Sequence, residues 1–124
     1  MLVSAELTGS ICAVAIEVHR HLGPGLLESA YEECLCYELS QNDISFERQV
    51  ALPVQYKNVL LDCSYQMDLL VEGQVVLELK SVEQILPVHE AQLITYLKLS
   101  GKRIGLLLNF NVKLMKEGIT RRIL

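Results

Sequence analysis

Leu7, Ile11, Val14, Val18 and Leu22 recur at spacings of three and four, a period that predicts a helix over residues 3–21 with one apolar face. Gly23-Pro24-Gly25 breaks it. A second helix is expected from about residue 26 to 40, through Leu27, Ala30, Cys34 and Leu35, with Asn42-Asp43 closing it. The period then drops to two. Phe46, Arg48, Val50, Leu52, Val54 and Tyr56 alternate with Glu47, Gln49, Ala51, Pro53 and Gln55. Leu61, Cys63, Tyr65, Met67 and Leu69 alternate with Asp62, Ser64, Gln66 and Asp68, the pattern of a half-buried strand with a polar face. Val75 to Lys80 makes a third strand. Residues 88–100 return to helix, with Pro87 near the start and Gly101 as the stop. Arg103 to Phe110 reads as a buried strand, and Val112 to Ile123 as a hairpin turning at Glu117-Gly118 or a partly helical tail.

The order α-α-β-β-β-α-β plus a C-terminal extension predicts an α/β fold. A three-strand meander is followed by a helical crossover to a fourth strand, giving a mixed four-stranded sheet flanked by helices. A chain of 124 residues, 51% of them hydrophobic, is long and apolar enough for one domain over residues 1–124 with a proper core, which excludes disorder as the main state. Mean hydropathy is +0.30, yet no apolar run reaches the ~18 residues a membrane helix needs. The first residues lack a basic region followed by an apolar block, so no signal peptide is expected and a cytoplasmic location is the default.

Charge changes the picture more. Residues 1–97 carry four basic and fourteen acidic side chains, a balance of −10; residues 98–124 carry seven basic and one acidic, a balance of +6, and together they return the net −4. An acidic body with a cationic end (Lys98, Lys102, Arg103, Lys113, Lys116, Arg121, Arg122) suits a polyanionic substrate, although a solvated tail would read the same way. Cys12, Cys34, Cys36 and Cys63 fit no zinc spacing and are expected to be reduced and packed as small apolar groups.

The chemistry concentrates in Asp68 and, ten residues later, Glu78-Leu79-Lys80. Two carboxylates can hold a hard cation such as Mg²⁺ through oxygen. A lysine two positions from the second carboxylate lies on the same strand face, where it can steady a water nucleophile or the charge growing on a phosphate. Asp68 and Glu78 share a face only if the loop between their strands holds an odd number of residues. A three-residue loop Val71-Glu72-Gly73 is expected, pairing Asp68 with Val76 and setting Asp68 and Glu78 diagonally at roughly 7–8 Å. On the following helix His89, Gln92 and Tyr96 fall along one stripe, with Ala91, Leu93, Leu97 and Leu99 expected on the buried side. Glu28 and Tyr31 lie one turn apart near the start of the second helix, where the helix dipole favours an acid.

These residues resemble a known family. Gly25, Glu28 and Tyr31 match the motif of the GxxExxY family, a branch of the PD-(D/E)xK nuclease superfamily. Asp68, Glu78 and Lys80 match the superfamily core, with Met67 where the motif has proline, and Gln92 with Tyr96 resembles the QxxxY motif of RecB-like nucleases. The resemblance implies a restriction-endonuclease-like core and a catalytic set of Glu28, Asp68, Glu78, Lys80, Gln92 and Tyr96. It implies Mg²⁺ or Mn²⁺ on Asp68, Glu78 and the Leu79 carbonyl, with Glu28 completing the pocket or binding a water of the metal. Lys80 would orient the water and stabilise the pentacovalent phosphate, while Gln92 and Tyr96 position the substrate strand or Lys80. His19 and His89 are marginal members.

The implied activity is metal-dependent hydrolysis of nucleic acid, with DNA as the expected partner and no membrane. The competing reading is a catalytically silent module of the same fold that binds nucleic acid or a protein. A homodimer would extend the surface of so small a unit.

Overall fold

A computed structural model describes residues 5–62 and 65–124. Helix α1 spans Ala5–Leu22 and α2 spans Glu28–Gln41. Strands β1 (Phe46–Ala51), β2 (Val54–Tyr56), β3 (Val59–Leu61), β4 (Gln66–Val71) and β5 (Val75–Lys80) follow, then α3 (Pro87–Ser100) and β6 (Ile104–Asn109). A 3₁₀ turn, Met115–Gly118, leads into β7 (Ile119–Ile123).

One sheet is ordered β1-β4-β5-β6-β7, and β2 with β3 forms a separate hairpin. The neighbours in the larger sheet are antiparallel except β5 and β6, which run parallel with α3 as their crossover. The expected meander and crossover are therefore present, in a mixed α/β architecture of restriction-endonuclease-like form.

Two faces of this sheet are covered. Leu69, Val71, Val75, Leu77, Leu79, Leu106 and Leu108 pack with Ile11, Val14 and Val18 of α1 and Tyr31, Leu35 and Leu39 of α2. On the other face Leu70, Val76 and Leu107 meet Leu93, Tyr96 and Leu97 of α3. Burial on both faces is why β5 and β6 read as continuous apolar runs rather than alternations. Each fully buried leucine in these layers contributes roughly 1.5–3 kcal/mol. At Gly105 the approach of α3 is so close that a Cβ would lie 2.6 Å from Leu93 Cδ1, so a side chain there would force the Leu93 side chain to shift.

Several expectations need correction. The sheet has five strands, not four, because the C-terminal extension pairs along β6, from Ile104↔Ile123 to Leu108↔Ile119. Of the two readings of that extension, the partly helical one holds at Met115–Gly118, while β7 takes β6 as its partner and no hairpin forms within the extension. The alternating run 46–56 is two strands parted at Leu52-Pro53, where proline offers no N–H to a ladder. The run 61–69 is also split, its first residue in β3 and its last four in β4. Cys63, Ser64 and the expected helical residues 3 and 4 lie outside the described residues.

The β4–β5 connection has the expected odd length, but one residue later. Val71 pairs with Val75, leaving Glu72-Gly73-Gln74 as the loop. Glu72 (φ 53°) and Gly73 (φ 64°) both take the left-handed conformation, and the Gln74 N–H closes the turn on the Val71 carbonyl at 2.9 Å. The register Leu69↔Leu77 therefore carries Asp68 directly opposite Glu78, not diagonal to it.

Candidate active site

Asp68 sits where the sheet pairing lapses on both sides. Pairs between β1 and β4 run from Phe46↔Val71 to Arg48↔Leu69, skip Gln49 and Asp68, and resume at Val50↔Met67. Gln49 has φ 49°, a left-handed kink in β1 beside this gap. On the β5 side the ladder ends at Leu69↔Leu77. Side chains take over there: the Asp68 N–H donates to Glu78 Oε2 and the Leu79 N–H donates to Asp68 Oδ2, both at 2.8 Å. Each carboxylate is thus anchored through one oxygen and keeps a second.

Glu78 is 4% exposed and Asp68 is half-buried. Burial, reinforced by the charge of Asp68, pushes the Glu78 carboxyl up to about 8. Burial also raises Asp68, against the hydrogen bond from Leu79 and the positive charge of Lys80. Lys80 opposes the rise in both acids, and Glu28 adds to it. Buried acids held this close are the environment that a divalent cation relieves.

Glu28 begins α2 at the rim, where its carboxylate accepts the Ser81 N–H at 3.2 Å. Ser81 in turn donates its hydroxyl to the Leu26 carbonyl at 2.7 Å, tying the end of β5 to the loop before α2. Tyr31, its motif partner, points away into the core. Its ring stacks on Phe110 at 4.5 Å, and its hydroxyl donates to the Gly23 carbonyl at 2.6 Å while accepting the Leu26 N–H at 3.2 Å. Tyr31 therefore shapes the loop that presents Glu28.

Gln92 donates to the Tyr96 hydroxyl at 3.0 Å. Tyr96 is raised above the usual tyrosine range by burial and then by the charge of Glu78. Gln92, Tyr96 and His89 line a groove of about 640 Å³ together with Tyr65, Thr95 and Leu99. Ala91 and Leu99, expected on the buried side of α3, lie on this groove instead. His89 Nδ1 accepts the Leu86 N–H at 2.9 Å, capping α3, and His19 Nε2 bonds the Val112 carbonyl at 2.8 Å.

The spacing of the motifs did not reveal Glu32. Its side chain is 12% exposed and accepts from Arg48 at 2.8 Å and Gln49 at 2.8 Å, and its charge raises Asp68. The available signal was its place one helical turn after Glu28 on the same face. Asn109 was also missed. Its side chain bridges the Val82 N–H and carbonyl at 3.1 and 3.0 Å, fixing the chain that leaves β5.

The cationic end is divided by the parallel pairing. Val75↔Ile104 sets Arg103 at the start of β5, away from Lys80, whereas Lys80↔Asn109 brings the segment with Lys113 and Lys116 towards the acids' end. Arg122 is ion-paired with Glu90. Among the described residues Cys12, Cys34 and Cys36 are free thiols, and no three His, Cys, Asp or Glu side chains form a metal cage. Two carboxylates remain, an oxygen donor set suited to Mg²⁺, which commonly uses one or two and keeps several waters.

The fold is thus a mixed α/β sheet with opposed acids on its central strands and a lysine at the end of β5. The chain matches the family described as the PD-(D/E)XK nuclease superfamily over residues 5–122 and belongs to it. Members of that superfamily are nucleases that generally use divalent metals, so the family points to nuclease activity on nucleic acid. Neither a comparison with curated proteins nor one with solved structures returned a match.

Proposed function

We propose that this chain acts as a single nuclease domain of the GxxExxY branch, hydrolysing phosphodiester bonds of DNA with Mg²⁺ or Mn²⁺. The observation that carries this reading is the facing pair of half-buried Asp68 and buried Glu78, in which the charge of Asp68 raises Glu78 and each accepts a backbone N–H at 2.8 Å. Asp68, Glu78 and the Leu79 carbonyl would hold the cation, with Glu28 reaching one of its waters. When bound, the metal supplies Lewis acidity and neutralises the two acids. Lys80 orients the attacking water and offers positive charge to the phosphate as it becomes pentacovalent. Gln92 and Tyr96 fix the position of the strand beside that lysine, and Tyr31 keeps Glu28 at the rim.

The test is incubation with supercoiled plasmid and labelled single strands in Mg²⁺, Mn²⁺ or EDTA, beside Lys80→Ala. Metal-dependent cleavage is expected, falling by about 10²–10³-fold in the variant, the scale of removing one preorganised stabilising group. Absence of cleavage under every metal, with metal still bound, would replace this reading by that of a silent binding module. Equal cleavage by both proteins would mean that a contaminant is responsible.

A further inference from the structure

We propose that the groove between α3 and the segment entering β4 is a nucleobase subsite, in which an unpaired base of the substrate strand stacks on Tyr65. This rests on the nuclease reading and adds to it a residue outside every motif considered above.

The walls select the occupant. Val54, Val88 and Leu99 are apolar, and among the described residues that line the groove there is no lysine, arginine or carboxylate. A phosphate finds no lysine or arginine there, whereas a flat neutral ring meets apolar walls. The volume of about 640 Å³ falls within the ~300–1,000 Å³ typical of small-ligand sites.

Tyr65 is built as a platform. Its ring meets Tyr96 at 6.3 Å and 63°, an edge-on contact that fixes its tilt. Its carbonyl accepts the Leu52 N–H at 2.8 Å, anchoring the backbone beneath it. Yet the residue is 47% exposed, so a ring held on one side by Tyr96 still reaches solvent. Every base has a π-face, so such a platform binds without needing a sequence.

The rim supplies polar edges. The Leu86 N–H occupies His89 Nδ1, so the neutral ring carries its proton on Nε2 as a donor. Gln92 spends one N–H on Tyr96 and retains its carbonyl and a second N–H. Tyr96 lines the groove and packs with Met67, Leu70 and Val76 on the sheet face that also carries Asp68 and Glu78. A strand whose base enters the groove thereby leads its backbone towards Asp68 and Glu78.

The experiment uses an oligonucleotide carrying one 2-aminopurine, in EDTA so that nothing is cut, with wild type, Tyr65→Ala and Tyr65→Phe. Circular dichroism first establishes that the variants fold. Wild type should quench the fluorophore on the single strand. Tyr65→Ala should lose affinity by about 5- to 100-fold, the range of one stacked base. Tyr65→Phe should restore it, and affinity for the matching duplex should not change. Single-strand binding indifferent to Tyr65→Ala, or an unquenched fluorophore, overturns the subsite. Plasmid cleavage in Mg²⁺ or Mn²⁺ separates the two ideas. Cleavage without Tyr65-dependent quenching sinks the subsite and leaves the nuclease. Tyr65-dependent quenching without cleavage supports the subsite and sinks the nuclease.

Discussion

The two faces of the sheet are packed to different ends. Against α1 and α2 the sheet is closed by apolar side chains, and the one motif tyrosine there, Tyr31, is 0% exposed with both hydroxyl bonds made to backbone. Against α3 the cover is a single helix, and its motif tyrosine, Tyr96, lines an open groove and is raised by burial and the charge of Glu78. The residues are chemically alike, but their neighbours give them separate tasks. Tyr31 converts burial into a fixed loop, and the loop sets Glu28 at the start of α2. Tyr96 is also buried, but it borders an open groove and feels the charge of Glu78. A tyrosine in a motif can therefore matter through the shape it enforces rather than any contact with substrate.

That contrast is broken most forcefully at Tyr31. Tyr31→Ala removes a fully buried stacked ring and should lower stability by about 3–5 kcal/mol in urea unfolding. Tyr31→Phe keeps the ring but strands the Gly23 carbonyl and Leu26 N–H, for about 1–2 kcal/mol. Tyr96→Phe forfeits one hydrogen bond, from Gln92, and should change stability by less than ~1 kcal/mol while slowing cleavage. A Tyr31→Phe protein of undiminished stability but without activity would place Tyr31 in the chemistry and erase the distinction.

The acids on the α3 face provide the next test. The folded Glu78 carboxyl titrates at about 8 against a usual 4.5. As pH rises, the unfolded chain releases this proton first, so the folded state binds more protons through the interval. Without metal, the Glu78 contribution to stability should be full below pH 4.5, fall by on the order of 5 kcal/mol towards pH 8, and level off above it. Asp68, raised in the same direction, steepens the lower part of the fall. Melting temperatures across this range would show it, and Glu78→Gln should flatten the profile. Above pH 8, Mg²⁺ should raise the melting temperature of wild type but not of Asp68→Ala. A profile that climbs with pH would mean that the two acids do not face each other unneutralised.

Much of this contrast was legible in the chain because it depends on period and parity. The 3.6 spacing gave α1, Pro87 and Gly101 bounded α3, and the odd loop put Asp68 and Glu78 on one face. The failures arise where tertiary pairing overrides the local pattern. Residues 46–56 and 61–69 each alternate without interruption, but each divides between two sheets. Glu72 adopts the left-handed conformation without being glycine, which slides the loop by one residue and changes a diagonal pair into a facing one. The fifth strand has a weak pattern, Ile-Thr-Arg-Arg-Ile, and exists because β6 offers it a free edge. Glu32 had only its helical offset from Glu28 to mark it, and Tyr65 no motif at all; the folded neighbourhood makes them candidates.

The smallest expected effect concerns the cations, because charge counted along a sequence ignores the direction of strands. Since β6 runs parallel to β5, the chain beyond Asn109 returns to the acids' end, where the Phe110 N–H donates to the Lys80 carbonyl at 2.9 Å. Lys113 and Lys116 follow and are exposed, whereas Lys102 and Arg103 precede β6 at the opposite end. A strand engaged at Asp68 and Glu78 therefore feels the first pair more than the second. Lys113→Gln with Lys116→Gln should weaken DNA binding by about 3-fold at low salt and lessen its salt dependence, as expected for losing one or two phosphate contacts. Lys102→Gln with Arg103→Gln should alter it by less than ~2-fold, since exposed charges beyond a Debye length are screened. Equal losses from both pairs would indicate that the net positive end acts as a diffuse field, and the reverse order would put the nucleic acid at the other end of the sheet.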